Sequence, residues 1–211
     1  MNRHKKYGVF VIVIIFISLA GIKCEKEQPK GPNPLSCCER ADFKNPDNNL
    51  YVLPYPTGKT YILSQSYCNP LGGHNNQLAY DFAMCIGDTI CSIGAGVVKD
   101  LREDQPDNGG DIEASNHNFI MIQHNDGSVA FYAHLMQNGV LVAKNDVVQQ
   151  GMKIALSGNS GNTLGFPHLH IGLYESWPAV ETYDLPIVFS NCVGPLDERG
   201  GLIADSAYTA L

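Results

Sequence analysis

The chain has 211 residues, 44% of them hydrophobic and only 17% charged, with 21 glycines, 12 prolines and 10 tyrosines. That length can bury one good core, and such a composition favours strands and turns over a helical bundle. The formal charge of −7 moves to near −11, ten basic residues against 21 acidic, once residues 1–24 are set aside, which argues against nucleic acid as a partner and against electrostatic anchoring on an anionic surface.

Arg3, Lys5 and Lys6 form a basic head, and Gly8 to Ala20 is a 13-residue apolar run. This is the pattern of a secretory signal, and it is too short for a comfortable membrane span. Residues 1–24 are therefore read as a signal peptide, and the protein as exported to the periplasm, cell envelope or medium. Two ends for the signal stay open. Ser18-Leu19-Ala20 offers small residues to an ordinary signal peptidase, whereas Cys24 offers an N-terminal cysteine for a lipid anchor, although Lys23 replaces the small residue expected before it.

With Cys24 set aside, Cys37, Cys38, Cys68, Cys85, Cys91 and Cys192 remain. An even number in an oxidising compartment predicts three disulfides, of a connectivity that sequence alone does not fix. No pair has the C-x-x-C spacing of a structural zinc knot.

Residues 25–50 are polar and rich in Pro and Asn, a linker or tethered extension. A single catalytic domain is placed over residues 51–190. Strands are predicted at 60–63, 89–92 and 95–101, then at 118–124 and 128–135 around the hairpin signal Asn125-Asp126-Gly127. Short strands follow at 147–148 and 153–156. The glycine-rich stretch 157–163 then delivers the chain to Pro167-His168-Leu169-His170, read as a strand. The polar stretch 103–117 is the candidate wall of a groove. Residues 191–211 are set apart as a C-terminal extension without an assigned role. Many short strands with regular turns predict an all-β, antiparallel sandwich or barrel-like fold.

On a strand His168 and His170 point to one side, with Leu169 opposite and the rings roughly 6.6 Å apart. That separation suits one ring on a metal and the other beside it. A lone His-x-His is as often a pair of surface histidines, so the reading depends on further ligands. A catalytic zinc takes about three protein ligands and leaves one position open. His74, Asp81 and one of the two final histidines could supply them, leaving two histidines, His134 among them, for proton handling. His117 and His124 are read as non-catalytic, with His124 bracing the hairpin turn. Tyr132 is assigned either to the cleft or to the core.

Taken with "AYDFAM", "IGAGVV", "IMIQHNDGSVAFYAHL", "VVQQGMKIALSGNSGNT" and "PHLH", the stretch 60–175 resembles the zinc metallopeptidases of the lysostaphin and LytM type. The resemblance implies an antiparallel fold of the duplicated hybrid motif type. It implies one zinc per chain held by His74, Asp81 and His170, with His134 and His168 as the catalytic pair. Peptidoglycan stem or cross-bridge peptides become the expected substrate. The departures are local: six residues rather than three separate His74 from Asp81, and Phe166 stands where glycine is usual. Cys85 stands where proline is usual, and its nearness to Cys91 raises a Cys85–Cys91 pair. The alternative reading is a non-catalytic module on the same fold that binds cell wall or regulates another hydrolase. A third, a disulfide-stabilised adhesion domain, leaves the histidines and Asp81 unexplained.

Overall fold

Each predicted strand has one apolar face, and pairing edge to edge lets those faces close over a common core. The computed structural model describes residues 37–44, 51–69, 73–110, 116–179 and 184–211. The signal peptide 1–24, the anchor site Cys24 and most of the 25–50 segment lie outside the described residues.

Among the described residues there is one helix, α1 (Cys37–Arg40), and twelve strands. These are β1 (Thr60–Gln65), β2 (Tyr80–Ala83), β3 (Thr89–Cys91), β4 (Gly96–Arg102), β5 (Phe119–His124) and β6 (Val129–Ala133). They are followed by β7 (Leu135–Val140), β8 (Val147–Val148), β9 (Lys153–Ser157), β10 (Leu169–Tyr174), β11 (Cys192–Val193) and β12 (Ser206–Ala210). All of the strand pairs are antiparallel. Nine strands make one sheet in the order β11-β12-β1-β2-β10-β6-β5-β4-β8, and β3-β9-β7 make a second. The expected all-β antiparallel architecture is the one found.

Alternation decides which side chains face the core. On β2 and β10, Tyr80, Phe82, Leu169 and Ile171 are fully buried. Asp81 and His170, one step along each strand, therefore stand on the opposite face. Tyr132 belongs to the core: it is fully buried, and its hydroxyl accepts the Ile93 amide at 2.8 Å. The chain passes from the large sheet to the small one at His134, between β6 and β7, where φ is +61°. A left-handed non-glycine residue is uncommon and concentrates at functional positions.

The described parts of both flanking segments pack into the same core. Residues 191–211 supply β11 and β12, and β12 pairs with β1 in the register Thr60↔Thr209 to Leu63↔Ser206. Ala41 and Phe43, from the stretch read as linker, are buried in the same core. Tyr208 on β12 is fully buried, and its hydroxyl lies 2.6 Å from the Ile203 amide and 2.7 Å from the Pro195 carbonyl. Tyr208→Ala is therefore expected to cost about 3–5 kcal/mol, as large aromatic truncations in cores do. Urea unfolding of the two proteins measures it, and a cost near zero would return 191–211 to the status of an appendage.

The expectation of three disulfides fails. Cys68 is disulfide-bonded, but Cys85, Cys91 and Cys192 are free thiols. Cys85 and Cys91 do not pair: both are free, Cys85 exposed in the turn after β2 and Cys91 buried at the end of β3. Burial raises the Cys91 thiol pKa and pushes that of Cys192 up to about 11, which leaves both inert.

Candidate metal centre and active site

The register of the large sheet builds the site. His170 on β10 pairs directly with Asp81 on β2 and, on its other side, with Ala133 on β6. Side chains opposite one another on neighbouring strands touch, and Asp81 Oδ1 lies 2.9 Å from His170 Nδ1. His74 reaches the same point from a turn, its Nε2 3.1 Å from Asp81 Oδ1 and 3.0 Å from His170 Nδ1. The donor atoms of these three residues lie within 4.8 Å of one another, and His74 and Asp81 are buried.

Protonation states follow from the partners. Nδ1–H of His74 donates to the Ser66 carbonyl at 3.1 Å, which leaves Nε2 as the ring atom aimed at Asp81 and His170. Burial by itself would raise the Asp81 pKa, but hydrogen bonds from His170 and His74 hold the carboxyl well below the usual carboxylate range. Burial lowers the pKa of His170. An ionised carboxylate with imidazoles in their neutral form is the deprotonated donor set a metal requires.

That set fits zinc. Bonds of about 2.0–2.1 Å in tetrahedral geometry separate ligand atoms by about 3.3 Å, close to the observed edges of 2.9, 3.0 and 3.1 Å. The Ser66 carbonyl behind His74 is the outer partner that orients metal-binding histidines.

His134 and His168 stand beside this cluster, their rings 4.6 Å apart. His168 precedes β10, and its Nε2 lies 3.8 Å from Asp81 Oδ2. Its Nδ1–H donates to the Phe166 carbonyl at 2.8 Å, and Nδ1–H of His134 donates to the Ser160 carbonyl at 2.8 Å. Both rings therefore carry a bare Nε2 when neutral. Burial, reinforced by His168 and His170, pushes the His134 pKa down to about 3, so it is neutral at pH 7.

All five residues singled out from the sequence line one groove with a volume of about 500 Å³. Asn162, Thr163, Leu164 and Phe166 of the glycine-rich loop line it, while the described part of 103–117 mostly braces that loop. Asp107 Oδ1 accepts the Asn159 amide and the Gly109 amide donates to the Asn159 carbonyl, each at 2.8 Å. His117, read as non-catalytic, also lines the groove, with its ring 5.6 Å from that of His134. The hairpin pairing Phe119↔Ala133 is what carries it there, and the Asn125-Asp126-Gly127 turn is the local signal that could have placed it. His124 lies elsewhere, with its Nδ1–H on the Ala95 carbonyl at 2.9 Å.

A two-histidine, one-aspartate donor set beside the central strands of an antiparallel sheet, flanked by two further histidines, has the composition of a metal-dependent hydrolase site. The chain belongs to peptidase family M23, whose match spans residues 75–182; His74 lies one residue before it. Peptidoglycan DD-endopeptidase ShyA of Vibrio cholerae is 40% identical over 124 residues, covering 59% of this chain and 26% of that protein. An uncharacterized metalloprotease of Buchnera aphidicola is 38% identical over 130 residues, covering 59% of this chain and 31% of that protein. This chain thus spans less than a third of either relative. The catalytic domain of lysostaphin from Staphylococcus simulans is 25% identical over 61% of this chain and 87% of that one, at a TM-score of 0.44. A match to the UTP23 sensor motif covers only residues 26–37, in the Pro-rich stretch.

Proposed function

We propose that this chain is an exported zinc metalloendopeptidase that hydrolyses peptide bonds in the stem or cross-bridge peptides of peptidoglycan. The observation that carries the reading is the convergence of His74 Nε2, Asp81 Oδ1 and His170 Nδ1 beside the imidazoles of His134 and His168 in an open groove. Peptidoglycan as the substrate draws support from the activity named for ShyA. Export, with a lipid anchor at Cys24 as one form of it, draws support from the basic head and apolar run of residues 1–24.

When bound to His74, Asp81 and His170, one zinc per chain supplies Lewis-acid activation of a water and of the scissile carbonyl. The remaining chemistry falls to this chain's own residues. His168 and His134 accept the proton of the attacking water at Nε2 and return it to the leaving amine nitrogen. The carbonyls of Phe166 and Ser160 hold the Nδ1 protons, fixing the tautomer that makes this transfer available. The groove, lined by Phe131 and Phe166 with polar Gln65 and Gln77, has room for an extended peptide.

Digestion of purified peptidoglycan, with and without a chelator, tests the reading. Fragments carrying new amino termini are expected by mass analysis, absent in the chelator and restored by added zinc. Unchanged peptidoglycan from zinc-loaded protein would instead favour the non-catalytic wall-binding module.

A further inference from the structure

Asp81 and His170 owe their positions to sheet register, but His74 does not. Residues 74–79 lie outside every strand, so something other than the sheet must hold this ring in place. Close by in the chain, the Ser66 carbonyl accepts the His74 Nδ1–H at 3.1 Å and Gln65 Oε1 accepts the Gly73 amide at 3.3 Å, while the Gln77 amide donates to the His74 carbonyl at 3.2 Å and the Cys68 amide to the Gln77 carbonyl at 2.8 Å.

Two further anchors come from distant parts of the chain. Leu78 is fully buried, so its amide needs a partner. Asp184 Oδ2 accepts that amide at 2.6 Å. The side chain of Asp184 is only 4% exposed, and a carboxylate so deeply buried needs a counter-charge. Arg40, from α1, supplies it in a direct ion pair through Nη1. The other arm of the same guanidinium, Nη2, donates to the Asn76 carbonyl at 2.8 Å. One buried ion pair thus grips the loop at two backbone groups, two and four residues beyond His74.

We infer that Arg40 and Asp184 are positioning residues for the metal centre, clamping the 74–78 loop so that His74 Nε2 faces Asp81 and His170. The inference rests on the zinc reading given above. Both residues lie outside the stretch 75–182 matched to the family, so the clamp is a feature of this chain's own flanks. It also gives the segment 37–44 a purpose beyond packing Phe43 into the core.

The double variant Arg40→Met with Asp184→Asn tests it in the full chain. The amide oxygen of the introduced asparagine would still accept the Leu78 amide, and methionine keeps the apolar stem. Removing both charges together is often neutral for folding, whereas removing one strands the other. The double variant should keep a cooperative thermal transition close to that of wild type. Its zinc affinity, read by competition with a chelating dye, should fall about 10–100-fold, as for losses behind a metal ligand. In the metal-free protein labelled with 15N-histidine, the Nδ1–H resonance that Ser66 protects, assigned by its absence in His74→Gln, should exchange faster. Unchanged zinc affinity together with an unchanged His74 resonance overturns the inference and leaves the ion pair a purely structural link. A wild-type protein that takes up no zinc overturns the proposed function instead, and the His74 resonance then decides the clamp by itself.

Discussion

His170→Ala is expected to abolish both zinc binding and peptidoglycan cleavage. His170 Nδ1 sits 2.9 Å from Asp81 Oδ1 and 3.0 Å from His74 Nε2, so its loss opens one side of the donor triangle to the groove. Three protein ligands are the usual minimum for a catalytic zinc, and two do not hold the ion against competing water. His74→Ala and Asp81→Ala should share this outcome. Asp81 is the centre of the set, since both imidazoles approach the same oxygen and it carries the one formal negative charge there. Metal analysis of the purified variants checks the assignment residue by residue. Stoichiometric zinc retained by any one of them removes that residue from the ligand set.

Most of the strands that carry this site could be read from the sequence, because their information is local. Alternation over 118–124 and the Asn-Asp-Gly turn predict β5 and its return strand. His168-Leu169-His170 predicts a strand that the structure begins one residue later, at Leu169. What could not be read is information held between distant residues. β11 has two residues, and β12 becomes a strand by pairing with β1, some 150 residues earlier, at Thr60↔Thr209. Met136-Gln137-Asn138-Gly139 has little strand propensity, yet lies within β7, which pairs with β9 from Leu135↔Ser157 to Val140↔Ala155. The even cysteine count pointed to disulfides, but a count is silent on whether two sulfurs share a side of the fold. Exposed Cys85 and buried Cys91 do not. The left-handed turn at His134 was also hidden, since nothing in Tyr132-Ala133-His134-Leu135 requires a positive φ.

Replacing His168 or His134 should have the opposite signature, with zinc retained and turnover lost. His168 lies outside the triangle: its Nε2 is 3.8 Å from the other Asp81 oxygen, and its ring is fixed by the Phe166 carbonyl. His134 is turned toward His168 by the Ser160 carbonyl and is neutral at pH 7. Groups that move a proton contribute about 10²–10⁴ in rate without holding a metal. His168→Ala and His134→Ala should therefore each lose a factor of that size in peptidoglycan turnover at near full zinc occupancy. Because the two rings are only 4.6 Å apart, they should act as a unit, and such residues are strongly non-additive. The double variant should then lose little more than either single one. Zinc content measured beside turnover for the three proteins decides the matter. If His168→Ala loses the metal and His170→Ala keeps it, the roles are reversed. If both lose it, the pair ligates jointly and the division between holding the metal and moving the proton is wrong.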